Sequence, residues 1–267
     1  MTISLGNAIK CIKEDEKWIT KILVGGFVFI IMQIATSFTI LKDTEPNVGT
    51  LIAAIIAILT SLWSLGFTFS SMKKIFNSDK FQMAELNEGN LILVGLKSCF
   101  AILGYGILMT IILTIIGLLY SVIAGLIGAI IFFALGLIVG LIGGTSDNPI
   151  VLSLIILYST LVGLLGGLFF AQFVNTALAF YLKRLKFGDL ISFGKHFVVI
   201  SENKHTSWTL VGKMILFSLA FIAIILGLTV SIIGVLLLPF VIFASYFVAY
   251  NLLAQYAKEI EIEKYLQ

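Results

Sequence analysis

The sequence predicts an all-α fold, a polytopic helical membrane protein with about six transmembrane helices arranged as three hairpins. Hydrophobic residues make up 60% of the 267 residues and charged residues only 12%, whereas soluble domains are about 45–50% apolar and about 25% charged. Five uncharged stretches each reach the roughly 20 residues that a helix needs to cross a bilayer core. They cover residues 22–41, 46–72, 98–146, 148–182 and 214–257. These runs exclude an ordinary soluble domain.

The basic residues predict which loops are cytoplasmic, because cytoplasmic loops carry an excess of Lys and Arg. Every Lys and Arg except Lys42 falls within one of four segments. These segments are 10–21, 73–97, 183–213 and 258–264. We therefore expect a multi-pass protein of the cell membrane, with both termini in the cytoplasm and the loops 42–47 and 144–149 outside.

Counting spans between the basic segments gives six. They cover about 22–41, 49–70, 98–120, 150–181 and the two arms of a hairpin within 214–257 that turns near 231–234. No small-residue cleavage motif follows the first apolar run, so we expect a retained span and not a signal peptide. The remaining Gly-rich segment predicts a re-entrant or interfacial helix at about 122–143. A full span over 121–144, which would make seven, is the alternative.

One tripeptide marks a threefold repeat. Leu-Val-Gly occurs at 23–25, 93–95 and 210–212, each time near the start of an uncharged run. Glycine at these points lets the backbone bend or approach a neighbouring helix closely. We therefore interpret 1–267 as a single integral membrane domain built from pseudo-repeats. The repeats cover about 1–72, 73–182 and 183–267.

A short amphipathic helix is predicted ahead of each hairpin, lying in the headgroup plane with its apolar face toward the lipid. Its predicted positions are 4–12, 80–91 and 186–199. The apolar faces are formed by Leu5, Ile9 and Ile12, by Phe81 and Ala84, and by Phe187, Leu190, Ile191, Phe197 and Val198. Indole rings and lysine ammonium groups favour the same depth, so we expect four interfacial anchors. These are Trp18, Lys97, Trp208 and Lys213.

The predicted spans carry no Asp, Glu, Lys, Arg or His, and catalysis needs titratable groups near the substrate. We therefore predict no catalytic, cofactor-binding or metal-binding residues and no cofactor. His196 and His205 are expected to be solvated or to face headgroups, and "EDEK" (14–17) is expected to be a solvated helix face. Cys11 and Cys99 are interpreted as small buried or interfacial residues.

Three polar residues stand out inside the fourth predicted span. Gln172, Asn175 and Thr176 are three and four positions apart, a spacing that places them on one helical face. They are interpreted as an interhelical hydrogen-bonding seam. A polar pocket for a ligand or water is the alternative.

Two stretches carry a resemblance to a known family. The segment "ISLGNAIKCIKEDEKWITKILVGG" (3–26) resembles the opening of an uncharacterised prokaryotic membrane family, domain of unknown function number four thousand and thirteen. Its charged-Trp-Ile signature corresponds here to Glu14–Ile19, with one Lys inserted before the Trp. The last span (236–259), which ends in Gln255-Tyr256-Ala257-Lys258, resembles that family's last helix. The overall pattern also resembles the membrane portion of some glycerophosphodiesterases, but this chain has no soluble catalytic barrel.

These observations favour a non-catalytic multi-pass membrane protein that acts through lipid or protein partners, as a scaffold or a subunit of a complex. Its basic segments predict contacts with anionic lipid headgroups, and the few aromatic residues among them disfavour nucleic acid. A passive transporter or channel for a small solute, lined by the polar residues of the fourth span, is the alternative. An enzyme acting on lipids is the least favoured class.

Overall fold

The computed structural model describes residues 3–40, 48–78, 81–112, 114–115 and 149–266. Regular structure in these ranges is entirely helical, which confirms the predicted all-α class. In chain order the α-helices are α1 (Leu5–Lys10), α2 (Trp18–Ile40), α3 (Val48–Asn77), α4 (Leu91–Ile112), α5 (Pro149–Arg184), α6 (Phe187–Leu190), α7 (Phe193–Glu202), α8 (Lys204–Thr229) and α9 (Ile232–Glu259). Short 3-10 helices occupy Cys11–Glu14 and Ile262–Tyr265.

Six helices of the described ranges are long and apolar enough to cross a membrane. They are Trp18–Thr39, Val48–Asn77, Leu91–Ile112, Gly163–Arg184, Lys204–Thr229 and Ile232–Glu259. The predicted six long apolar helices are therefore present among the described residues, and they are compatible with a polytopic helical membrane protein. The helix predicted over 122–143 and the loop at 42–47 lie outside the described residues, and the grouping into three hairpins stays a prediction.

The chain forms two compact units. One comprises Met1–Ile102 with Gln172–Gln267, and the other comprises Leu103–Ala171. The described part of the second unit consists of the end of α4, residues 114–115 and the first part of α5. All side-chain contacts discussed below lie within the first unit.

In the first unit, α2 packs against α3 and α9, and α8 packs against α9. An aromatic cluster joins α3 to α9, because the Phe67 ring lies 6.0 Å from Phe243 and 6.2 Å from Phe247. All three side chains are buried. A turn at Val230 and Ser231 connects α8 to α9, with Ser231 Oγ accepting a hydrogen bond from Gly234 N at 2.9 Å. This turn lies at the edge of the predicted 231–234.

The three copies of Leu-Val-Gly have different environments. A Cβ at Gly25 would lie 2.0 Å from the Phe243 ring, and a Cβ at Gly95 would lie 1.8 Å from Leu62 O. Gly66 mirrors Gly95, because its Cβ would lie 1.7 Å from Leu91 O. The first two copies thus permit close helix contacts, of α2 with α9 and of α3 with α4. Gly212, in the third copy, has open space at this position.

The predicted amphipathic helices are only partly helical. Residues 81–90 contain no helix, so the helix predicted over 80–91 is wrong across them. Hydrogen bonds to side chains of two neighbouring segments hold this stretch instead, as described below. Helix α1 covers part of 4–12, and Ile9 on its predicted apolar face is exposed while Ile12 is buried. Helices α6 and α7 cover most of 186–199, and Leu190 points into the core and not outward.

Candidate functional site

The four basic segments of the sequence meet at one end of the first unit, which we call the polar end. Lys21 Nζ donates to Met83 O at 3.2 Å, and Asn77 Nδ2 donates to Lys183 O at 3.2 Å. Lys258 Nζ donates to Ser78 O at 2.9 Å. These contacts join the start of α2 and the ends of α3, α5 and α9, so the basic residues share one end of the helices.

A buried ion pair fixes the segment 81–85 to the start of α2. Lys21 Nζ lies 3.0 Å from Asp15 Oδ2 and 3.1 Å from Glu85 Oε1, and the side chains of Lys21 and Asp15 are only 3% and 5% exposed. Asp15 Oδ2 also accepts a hydrogen bond from Met83 N at 2.8 Å. The interpretation of "EDEK" as a solvated face is therefore wrong for Asp15. A buried pair of this kind is stable only when further hydrogen bonds satisfy both groups.

The electrostatics of Asp15 reflect this arrangement. Burial alone would raise the pKa of its carboxyl, but hydrogen bonds from Lys21 and from the backbone of Met83 and Lys17 lower that pKa below its ordinary value. Asp15 is therefore ionised at neutral pH. Its role is to hold chain segments together, because its hydrogen bonds with these groups engage both carboxylate oxygens.

Residues 263–266, which follow α9, contact a second group of cations at the end of α5. Arg184 Nε donates to Asp189 Oδ2 at 2.9 Å, and Arg184 Nη1 donates to Leu266 O at 3.0 Å. Lys183 Nζ lies 2.8 Å from Glu263 Oε1, and its hydrogen bond lowers the pKa of Glu263. The end of the chain is thereby bound to the end of α5.

His196 is buried, not solvated as predicted. Its side chain is 0% exposed, and its Nε2 lies 2.8 Å from Asp189 O. Phe180, Phe193 and Phe173 surround the ring edge-on, with centroids at 5.1, 6.2 and 6.5 Å. Burial lowers the pKa of His196 below its ordinary value. The ring is therefore a neutral core group. His205 is exposed.

A basic groove lies beside these pairs, at the ends of α3 and α5 and the start of α4. Its cavity volume is about 690 Å³. Five cationic side chains line it, those of Lys73, Lys74, Lys183, Arg184 and Lys186. Glu88 also lines the groove and pairs with Lys74. Burial alone would raise the pKa of Glu88, but its hydrogen bonds with Lys74 and with Glu85 N lower that pKa.

The polar residues of the fourth span are only partly brought together. Thr176 is buried, and its Oγ1 lies 3.1 Å from Tyr256 Oη, which lies 3.1 Å from Ser207 Oγ. These hydroxyls connect α5, α9 and α8. Gln172 is 3% exposed, and its Nε2 has no hydrogen-bond partner among the described residues. Asn175 is half-buried.

The four predicted anchors differ in exposure. Trp208 is 47% exposed and lies in the first two turns of α8, close to the polar end. Lys97 is exposed, whereas Trp18 and Lys213 are half-buried. Their contact with the membrane interface stays a prediction.

Reading the sequence missed the Asp15–Lys21 pair and the bridging role of Tyr256. The signal for the pair was weak, because i, i+6 is not a spacing at which helix side chains meet. For Tyr256 the available signal was a hydroxyl within an apolar helix, since buried Tyr hydroxyls usually find a partner.

Comparison of the chain with protein-family models, curated proteins and solved structures finds no match in any of the three. The resemblance of 3–26 and 236–259 to an uncharacterised membrane family stays a prediction. Within the ranges that the structure describes, no group of three or more His, Cys, Asp or Glu residues is placed to hold a metal ion.

Proposed function

We propose that this chain is a non-catalytic multi-pass membrane protein whose polar end binds anionic lipid headgroups, as a scaffold or a subunit of a membrane complex. The observation that carries the proposal is the surface of α6 and α7. Phe187, Ile191, Phe197 and Val198 are exposed there, and Phe197 is 57% exposed. Lys186 and Lys195, which are also exposed, lie in the same stretch.

Exposed aromatic and aliphatic side chains beside lysines are typical of helices that lie in a membrane interface. The apolar groups enter the boundary between headgroups and acyl chains, and the ammonium groups meet lipid phosphates. Each basic residue near an anionic surface contributes about 1 kcal/mol. This surface would therefore respond to lipid charge as well as to lipid contact.

The test is the thermal stability of the purified full-length protein in nanodiscs of neutral or mixed neutral and anionic lipid. We expect the unfolding midpoint to rise with anionic lipid content. Phe197→Ser should reduce that rise, because it removes an exposed apolar group. Phe100→Ser in α4 is the matched control outside α6 and α7, because Phe100 is similarly exposed, at 67%. Unfolding midpoints that do not change with anionic lipid content would refute the proposal.

The orientation forms part of the proposal. We place both termini and the polar end in the cytoplasm, because four basic segments share that end. Lys195→Cys, in a background with Cys11→Ser and Cys99→Ser, should be labelled by an impermeant maleimide only after cells are lysed. Labelling in intact cells would show that the polar end faces the outside, opposite to the proposed orientation.

A passive pathway for a small solute is the second candidate, favoured by the Nε2 of Gln172, which has no hydrogen-bond partner in the part of the chain that the structure describes. Gln172, Asn175 and Thr176 would line it. We expect solute flux in proteoliposomes to fall in Gln172→Leu and Asn175→Leu. Flux that is equal in the wild type, these variants and empty liposomes would eliminate this candidate.

A further inference from the structure

We propose that the basic groove is a defined site for the phosphate group of one anionic phospholipid molecule. This inference rests on the proposed contact with anionic lipid and adds a specific position to it. Spread over a surface, lysines attract anionic lipids without selecting a place. A groove that gathers cations from several chain segments can instead hold one phosphate at a fixed point.

The pairing of the five cations identifies those available to a ligand. Lys74 pairs with Glu88. Lys183 pairs with Glu263, and Arg184 pairs with Asp189. Lys73 and Lys186 form no ion pair with any residue that the structure describes. Both are exposed and both line the groove. Two ammonium groups are thus free to meet a phosphate.

The backbone at the groove supports a built site. Leu185 has φ of 55°, a left-handed conformation that residues other than glycine rarely adopt. This corner ends α5 and turns the chain so that residues on both sides of it, Arg184 and Lys186, line the same groove. A left-handed residue is a common way to end an α-helix, and here it brings these two cations to one groove.

The groove also has an apolar side that favours a lipid over a free phosphate ion. Val94 and Leu185 line it. A phosphate held by Lys73 and Lys186 would thus bring the glycerol backbone and the adjoining acyl carbons of the same molecule against the apolar side chains of Val94 and Leu185.

The test titrates the full-length protein in neutral detergent with short-chain phosphatidic acid, with phosphatidylcholine of the same chain length, or with inorganic phosphate. Binding is measured by isothermal titration calorimetry. We expect one saturable site for phosphatidic acid. The double variant Lys73→Gln, Lys186→Gln should bind it at least about tenfold more weakly, since it removes both cations that would donate charge-assisted hydrogen bonds to the phosphate. Both lysines lack ion-pair partners among the described residues, so the variant should keep its wild-type unfolding midpoint.

The matched control is Lys13→Gln, Lys204→Gln, which removes the same charge from exposed positions outside the groove. Equal weakening by both double variants would show diffuse charge attraction and overturn the groove, while leaving the proposed lipid contact standing. Inorganic phosphate binding as tightly as phosphatidic acid would overturn the lipid assignment. Absence of saturable binding would overturn the site itself. The proposed function fails on a separate result, namely an unfolding midpoint in nanodiscs that does not change with anionic lipid content.

Discussion

The close crossing of α3 and α4 gives the sharpest test of the fold, because the same tripeptide supplies its own control. Gly95→Ala and Gly212→Ala make one chemical change within Leu-Val-Gly, in α4 and in α8. A Cβ at Gly95 would lie 1.8 Å from Leu62 O, and its mirror at Gly66 is equally tight. A Cβ at Gly212 meets nothing within 4 Å. The two variants should therefore change the free energy of unfolding in opposite directions.

The magnitude follows from the geometry. A Cβ in ordinary contact needs about 3.4 Å, so the methyl group added by Gly95→Ala would have to move about 1.6 Å away from a backbone carbonyl, and backbone cannot swing aside as a side chain can. Overpacking of this kind costs about 1–3 kcal/mol. Alanine also favours a helix over glycine by about 1 kcal/mol. We expect Gly95→Ala to lose up to about 2 kcal/mol overall and Gly212→Ala to gain up to about 1 kcal/mol.

The assay is unfolding of the purified protein by sodium dodecyl sulfate in mixed micelles, followed by circular dichroism and tryptophan fluorescence. Gly95→Ala should unfold at a lower detergent fraction than the wild type, and Gly212→Ala at the same or a higher fraction. Equal shifts for the two variants would refute the close approach of α3 and α4. The reasoning would then fail at Gly66 as well.

Two further predictions concern buried titratable groups. Asp15→Asn should destabilise the protein by about 3 kcal/mol, the low end of the cost of breaking a buried ion pair, because Lys21 would still pair with Glu85. Unfolding by sodium dodecyl sulfate measures this loss of stability. A loss below about 1 kcal/mol would contradict the prediction. The pKa of His196 is lowered from 6.5, so between the two values the unfolded chain binds a proton that the folded chain does not. Stability should therefore fall as the pH drops below about 6.5, and the slope should be reduced in His196→Phe. An unchanged slope in that variant would show that His196 does not titrate this way.

Much of the fold was predictable because one physical signal dominates it. Long uncharged runs cannot fold in water, and in lipid they satisfy their backbone only as helices. The long apolar helices of the described ranges and the turn near Ser231 follow from run length and the position of polar residues. The gathering of basic residues at one end followed from their spacing along the chain.

The segment between α3 and α4 was not predictable in the same way. The spacing of Phe81 and Ala84 suits a helix, but the backbone there is held by partners far along the chain. Met83 N donates to Asp15 and Ala84 N donates to Ser71 Oγ at 2.8 Å. Long-range hydrogen bonds leave no periodicity in a sequence, and tertiary contacts override weak local propensity.

The placement of the acidic residues shows which cations of the polar end are paired among the described residues. Described carboxylates that pair with cations at the polar end lie outside the long helices, at Asp15, Glu85, Glu88, Asp189 and Glu263. These segments fold back onto Lys21, Lys74, Lys183 and Arg184 and pair with them. The pairing matters most at Lys21, because a buried cation without an anion costs free energy. Of the five cations that line the groove, Lys73 and Lys186 lack such a carboxylate among the described residues. Their charge is therefore available to an anion from outside the chain, which is why lipid phosphate binding should depend on them rather than on the total charge.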